Sequence, residues 1–165
     1  MIRPSARLLW SLLALGCLML AVGSLILVTW MDLRPCPLCI FQRTLFMVLG
    51  LLALAAAWLG PRAAALFPGL LSLIGAAGGI GIASYQIWLQ LQPPESASCG
   101  GGPLAFIDVW VDWLGERLPQ LFLATGFCEE PGPLILGLTL PHWALVGFSG
   151  YLLVALWAIS VRRRP

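Results

Sequence analysis

Residues 35–59 read PCPLCIFQRTLFMVLGLLALAAAWL, and this stretch decides the fold. No charged residue follows Arg43 as far as Leu59, and a transmembrane helix needs about 20 such apolar residues to cross a hydrocarbon core of about 30 Å. The beginning of the stretch is unusual, because two cysteines three residues apart are followed by a full positive charge. A simple membrane anchor requires neither feature.

The whole chain has the composition of a membrane protein. Of its 165 residues, 60% are hydrophobic and only 10% are charged, whereas soluble domains have about 25% charged residues. Long apolar runs, uncharged except for Arg43 in the second, predict four spans, at about 8–30, 40–59, 63–91 and 142–161. The first run is too long for a signal peptide and lacks a small-residue cleavage site. We therefore expect an all-α integral membrane four-helix bundle that forms a single domain over residues 1–165.

The arginines predict the orientation of the bundle. The chain has no lysine, and six of its nine arginines lie on one side of a four-span arrangement: Arg3, Arg7, Arg62, Arg162, Arg163 and Arg164. Short segments rich in arginine stay in the cytoplasm, so we expect both termini there. Residues 31–39 and 92–141 then form two outer loops, and the second contains six acidic residues and one arginine.

Four of the five cysteines fall in these outer loops. Cys17 lies in the first span, where a buried thiol acts as a small apolar residue. Cys36 and Cys39 lie in the first loop, and Cys99 and Cys128 in the second. Two structural disulfides are one interpretation, since an oxidising compartment permits them. A zinc site with four cysteines is disfavoured, because the second loop has no Cys-X-X-Cys motif.

The spacing of Cys36 and Cys39 favours redox chemistry over stabilisation. A bridge over three residues closes almost no loop, so it gains almost no chain entropy. Pro37 suits the first helical position, which places Cys36 at the N-cap of the second span, close to unsatisfied N–H groups. We expect this setting to favour thiolates, and thiolate character governs disulfide exchange.

Arg43 lies on the same helical face as both cysteines, about one turn below Cys39. A charge inside the apolar zone marks a functional site by default, unless the side chain snorkels back to the interface. An apolar slot, a thiolate and a cation together suit a lipid-soluble electron acceptor that becomes anionic on reduction, and a membrane quinone is the obvious candidate. Gln86 and Gln90 in the third span could hydrogen-bond a quinone carbonyl or simply a neighbouring helix.

The second outer loop contains an amphipathic segment, LAFIDVWVDWLGERL. Asp108, Asp112 and Glu116 form one polar stripe on it, so we expect a short helix that lies in the membrane interface and contacts lipid. Its flanks, GGG at 100–102 and the TGF turn before Cys128, are expected to let the cysteines move.

Taken together, these features resemble the DsbB family of quinone-dependent thiol oxidases in bacterial inner membranes. The motifs that carry the resemblance span nearly the whole chain. They are PCPLCIFQR in the first outer loop, LQLQPPESASC before the third cysteine, QLFLATGFC around the fourth and LGLTLPHW at the entry to the last span.

The resemblance implies a path for electrons. Cys99 matches the residue expected to form a mixed disulfide with a periplasmic thioredoxin-fold protein similar to DsbA, and Cys128 matches its partner. Electrons would then pass to Cys36 and Cys39, with Cys39 next to a ubiquinone or menaquinone and Arg43 supporting it.

One feature departs from the family pattern, and two other functions stay open. The family often has a histidine near the position of Gln86, and a neutral amide cannot carry a proton in the same way; the single histidine, His142, is expected at the membrane interface. A vitamin K epoxide reductase-like enzyme is disfavoured, because its Cys-X-X-Cys motif is expected near a later span. A non-catalytic scaffold similar in outline to tetraspanins would have no use for Arg43. No motif for nucleotides, nucleic acids or metals is present.

Overall fold

The computed structural model describes residues 5–60, 62–92, 104–130 and 132–162. These residues form helices and no strand beyond one isolated bridge. The helices are α1 (Ala6–Trp30), α2 (Pro37–Leu59), α3 (Leu66–Gln90, preceded by a 3-10 turn at Ala63–Ala65), α4 (Ala105–Arg117), α5 (Pro119–Phe122) and α6 (Leu140–Arg162). Cys99, the glycines at 100–102, Arg3, Arg163 and Arg164 lie outside the described residues.

Four helices, α1, α2, α3 with its preceding turn, and α6, are long and apolar enough to cross a membrane. They pack in a ring, in which α1 and α3 each contact both α2 and α6. Large apolar side chains such as Leu15, Leu51, Ile74 and Leu153 are exposed on the outside of this ring, as expected for helices surrounded by lipid. The prediction of an all-α membrane four-helix bundle is confirmed. The side on which the termini lie, and an interfacial position for α4, stay predictions.

The helix ends follow local rules. Ser5 caps α1, because its Oγ accepts a hydrogen bond from Leu8 N at 3.2 Å. The second helix begins with Pro37 directly after the N-cap residue Cys36, as expected. It ends at Gly60, whose φ of +61° favours glycine. The guanidinium of Arg7 lies where a side chain of residue 60 would begin, so α1 and α2 meet closely at this end.

The interior has two parts. The inner core lies between the four long helices and consists of apolar side chains such as Trp10, Leu49, Phe148 and Tyr151. The thiol-end cluster lies at the other end, where α4 and α5 cover the beginning of α2; its buried members are Cys36, Leu38, Ile40, Leu89, Ile107, Val111, Phe122 and Cys128. The long connection between α3 and α6 therefore folds back over the Cys-X-X-Cys motif.

Candidate active site

Cys36 and Cys39 are free thiols in direct contact at the start of α2. The Sγ of Cys36 accepts a hydrogen bond from the backbone N–H of Cys39 at 3.3 Å and donates one to Cys39 Sγ at 2.8 Å. The hydrogen bond to Cys39, together with burial, raises the pKa of the Cys36 thiol well above its ordinary value. The expectation that this setting favours thiolates stays a prediction.

Gln86 of α3 is the closest polar neighbour of both sulfurs. Its Nε2 donates to Cys36 Sγ at 3.2 Å and to Cys39 Sγ at 3.1 Å. Its Oε1 accepts a hydrogen bond of 2.9 Å from Nε2 of Gln42, which lies on α2. Gln86 is only 1% exposed. In the structure the amide group of Gln86 is bonded to the thiols and to Gln42. A quinone contact for Gln86 stays a prediction.

Gln42 was not among the predicted site residues. A signal was available, because Gln42 lies three residues after Cys39 in a span and therefore on the same helical face as that cysteine. The orientation of its amide group depends on α3, which the local pattern does not reveal.

Arg43 is buried where α1, α2 and α5 meet. Its Nε donates to Ser24 Oγ of α1 at 2.9 Å, and one of its terminal nitrogens donates to the carbonyl oxygen of Leu121 in α5 at 3.1 Å. The side chain is 6% exposed. Because a guanidinium has five N–H donors, it has donors beyond these two bonds. Arg43 thus joins α1, α2 and α5 next to the thiols.

A cavity of about 720 Å³ opens beside the thiol pair. Its walls come from α1, the first loop at 32–36, α2, α3, Phe127, Glu130 and the segment 132–144, and most of the lining residues are apolar. Cys36, Cys39, Gln42, Arg43, Phe46, Gln86 and Gln90 all line it. The volume lies within the roughly 300–1,000 Å³ of small-molecule sites. Both thiols and the buried cation therefore face one largely apolar space.

The far wall of the cavity is a tight hairpin between α5 and α6. Ile135 and Leu138 exchange two backbone hydrogen bonds, of 2.8 and 3.1 Å. Leu136 (φ +52°) and Gly137 (φ +83°) form the turn between them, as a two-residue hairpin with positive φ at both positions requires. The indole N–H of Trp143 donates to the carbonyl oxygen of Ile135 at 3.0 Å and fixes the hairpin on α6.

His142 is connected to the same wall through Thr139. The Oγ1 of Thr139 donates to Gln90 Oε1 at 3.0 Å and lies 2.8 Å from Nδ1 of His142. A hydroxyl has one hydrogen, so Nδ1 of His142 is the donor in the second bond. The expected interfacial role of His142 stays a prediction, but its ring is also tied to an amide that lines the cavity.

Cys128 is buried and disulfide-bonded. The preceding turn is anchored, because the backbone N–H groups of Thr125 and Gly126 both donate to the carbonyl oxygen of Pro35, at 3.0 and 3.2 Å. The backbone of Arg34 lies so close to Gly126 that no side chain fits between them. The glycine at position 126 allows the turn to pack closely against the first loop, and the expectation that the turn lets the cysteines move stays a prediction.

The amphipathic helix α4 packs against α2 with its apolar face. Ile107 and Val111 are buried with Leu38 and Ile40 of α2, whereas Gly115 is buried against Phe122 and Leu123. Asp108 lies at the edge of the contact, and burial, with a smaller effect of Asp112, raises the pKa of its carboxyl group. Within the described residues, no group of three histidine, cysteine, aspartate or glutamate side chains could hold a metal ion.

Comparison with known proteins gives one consistent result. Residues 6–158 match the family described as Disulfide bond formation protein DsbB. The chain is 41% identical over 138 residues to the disulfide bond formation protein B of Dechloromonas aromatica (strain RCB), which covers 84% of this chain and 82% of that protein. It is 38% identical over 149 residues to the protein of the same name from Azoarcus sp. (strain BH72), with 89% and 88% covered.

Proposed function

Since this chain belongs to the DsbB family of disulfide bond formation proteins, we propose that it reoxidises a DsbA-like thioredoxin-fold protein and passes the electrons to a membrane quinone. Family membership and the four membrane-spanning helices make the chain a membrane oxidoreductase of disulfide bond formation. The quinone, the partner and the roles of single residues are the proposal. One observation carries it: Cys39 and the buried cation Arg43 line the same apolar cavity.

In the proposed reaction, electrons enter through Cys128 and its disulfide partner Cys99. A thiolate of the partner attacks Cys99, a mixed disulfide forms, and the second partner thiol releases it. Cys99 and Cys128 then hold two thiols, while the partner carries the new disulfide. These two thiols reduce the Cys36–Cys39 disulfide in the same way, and two electrons and two protons reach the first loop.

The residues around the cavity fit a quinone. A bound quinone would supply the oxidant for Cys36 and Cys39, which would give up two electrons and two protons and return to the disulfide. Arg43 has N–H donors to spare for an anionic oxygen, and its charge favours negative charge in the cavity. The amide of Gln90 is held in the cavity wall by Thr139. Apolar walls such as Phe46 suit the ring and the beginning of a lipid tail.

For location, we propose a multi-pass protein of the bacterial inner membrane, with residues 1–165 as one domain. The arginine distribution supports cytoplasmic termini and periplasmic outer loops. There α4 would lie in the interface. Its exposed Phe106, Val109 and Trp113 support contact with lipid headgroups.

The test is quinone reduction by purified protein in detergent, supplied with a ubiquinone analogue and a reduced DsbA-like dithiol protein. Cys39→Ser and Cys99→Ser should abolish turnover, because each interrupts the path. Cys17→Ala is the matched control, since Cys17 is a buried free thiol in the inner core. If wild-type protein leaves the quinone oxidised although both disulfides are formed, the disulfides are structural and the proposal fails.

A further inference from the structure

The amide pair of Gln42 and Gln86 has no assigned role in the proposed electron path, yet it makes the most complete set of hydrogen bonds at the site. The NH₂ group of Gln86 donates a hydrogen bond to each of the two sulfurs, and its carbonyl oxygen accepts one from Gln42. Both side chains are buried. A primary amide has two N–H donors and one carbonyl group, so every polar group of Gln86 is engaged.

The direction of the Gln86 amide group follows from Gln42. The Nε2 of Gln42 donates to Gln86, so the group that receives it must be Oε1. The NH₂ group of Gln86 then faces the sulfurs, at 3.1 and 3.2 Å. Reversal of the Gln86 amide would place a carbonyl oxygen against the two sulfurs and set two NH₂ groups against each other.

A hydrogen bond from an N–H donor does not stabilise the oxidised and reduced forms of Cys36 and Cys39 equally. Hydrogen bonds to an ionised acceptor are roughly twice as strong as neutral ones, and only the reduced pair can carry a thiolate. Reduction of the Cys36–Cys39 disulfide takes up two electrons and two protons, breaks the S–S bond and leaves two thiols, one of which can release its proton and become a thiolate. A fixed donor at both sulfurs therefore stabilises the product of reduction.

We propose that Gln86 is a further catalytic residue, which stabilises the reduced form of Cys36 and Cys39, and that Gln42 is a positioning residue, which orients the Gln86 amide group. Their combined effect makes the Cys36–Cys39 disulfide a stronger oxidant. The use of this effect rests on the proposed function, in which the Cys36–Cys39 disulfide would accept electrons from Cys99 and Cys128.

The experiment measures a redox equilibrium and needs no quinone. Purified, quinone-depleted full-length protein is equilibrated in glutathione buffers, trapped by alkylation and digested, and mass spectrometry gives the oxidised fraction of each cysteine pair separately. For Gln86→Leu we expect the equilibrium constant for reduction of Cys36–Cys39 to fall about tenfold or more, and a tenfold change corresponds to about 30 mV for this two-electron couple.

The companion variants separate orientation from packing. Gln42→Leu should lower the constant in the same direction but less, and Gln42→Leu/Gln86→Leu should match Gln86→Leu alone, because Gln42 acts only through Gln86. Gln86→Glu keeps the size of the side chain and should lower the constant as well, since it loses both donors. Ser84→Ala, on the exposed side of α3, is the matched control and should change nothing.

Two results would overturn the proposal. One is a constant within twofold of wild type in both Gln86 variants, while the redox equilibrium of Cys128 stays at its wild-type value and so reports an intact fold. The other is additive effects of the Gln42 and Gln86 substitutions. Because no quinone is present, a failure of quinone reduction in the earlier assay leaves this outcome unaffected.

Discussion

The inner core and the thiol end of the same bundle differ in what they bury. Between the long helices the inner core packs aromatic and aliphatic side chains against small residues such as Ala53, Ala76 and Ala155. Among the described residues, the buried polar side chains are Gln42, Arg43, Ser72, Gln86 and Thr139. Only Ser72 belongs to the middle of the bundle, and it bonds a carbonyl of its own helix. The other four lie around the cavity.

This difference explains how one fold provides both stability and chemistry. Every buried polar side-chain atom in the described residues has a hydrogen-bond partner, so polar groups at the thiol end do not simply weaken the fold. Their partners come from separate helices, which makes the arrangement specific. Substitutions in the inner core should therefore change stability, whereas those at the thiol end should change reaction rates.

The largest effect is expected for Arg43. Arg43→Met removes the buried cation and its bonds to Ser24 and Leu121. It also removes the N–H donors proposed to bind an anionic quinone oxygen. A hydrogen bond to a charged group contributes about 1.5–3 kcal/mol, so loss of that bond should lower kcat/KM for a ubiquinone analogue about 10- to 100-fold. Steady-state quinone reduction measures this. Arg117→Met, at the end of α4, is the control, and equal losses in both variants would remove the special role of Arg43.

Next in size is Gly79 in the inner core. A Cβ there would lie 2.6 Å from the ring of Phe148, which stacks on Phe46 with centroids 4.0 Å apart. Overpacking costs about 1–3 kcal/mol, so Gly79→Ala should lower the free energy of unfolding by that amount in a denaturant titration in detergent. Gly78→Ala is the matched control, because nothing lies within 4 Å of its Cβ. Equal stability of the two variants would contradict the packing described for α3 and α6.

A smaller effect is expected for Gly126 at the thiol end. Gly126→Ala should push the segment before Cys128 away from Arg34 and weaken the bonds to the carbonyl oxygen of Pro35. Transfer of electrons from the Cys128 pair to Cys36 and Cys39 should slow several-fold, as rapid acid quenching and alkylation can measure. Thr125→Ala keeps the backbone N–H and should transfer at the wild-type rate. Unchanged transfer in Gly126→Ala would show that this contact does not matter for the reaction.

The smallest effect concerns the pH dependence of α4. The pKa of Asp108 is raised in the folded state by burial and by Asp112. Its contribution to stability is therefore present below the ordinary carboxyl pKa and is lost as the pH rises through the raised value. Hydrogen exchange, corrected for intrinsic rates, should show greater protection of α4 at a pH below the ordinary carboxyl pKa than at neutral pH. Asp108→Asn should remove this difference, while Glu116→Gln should retain it.

The sequence was sufficient wherever the determining interactions are local. Each membrane-length run is one continuous segment of the sequence. The N-cap at Cys36 and the shared face of Cys36, Cys39 and Arg43 depend on residues within two helical turns of each other. Contacts between distant segments were not predictable. The Gln42–Gln86 bond joins residues 44 apart, and the bond from Arg43 to Leu121 joins residues 78 apart. Both depend on the register of packed helices, which hydropathy does not specify.

The central claim is that the Cys36–Cys39 pair delivers its electrons to a quinone in the adjacent cavity. A single-turnover experiment tests it most directly: fully reduced protein is mixed with a ubiquinone analogue, without any partner protein, and quinol and the disulfide state of each pair are measured together. We predict that quinol appears first in step with a Cys36–Cys39 disulfide, one for one. Quinone that stays oxidised while Cys36 and Cys39 remain free thiols would contradict the account.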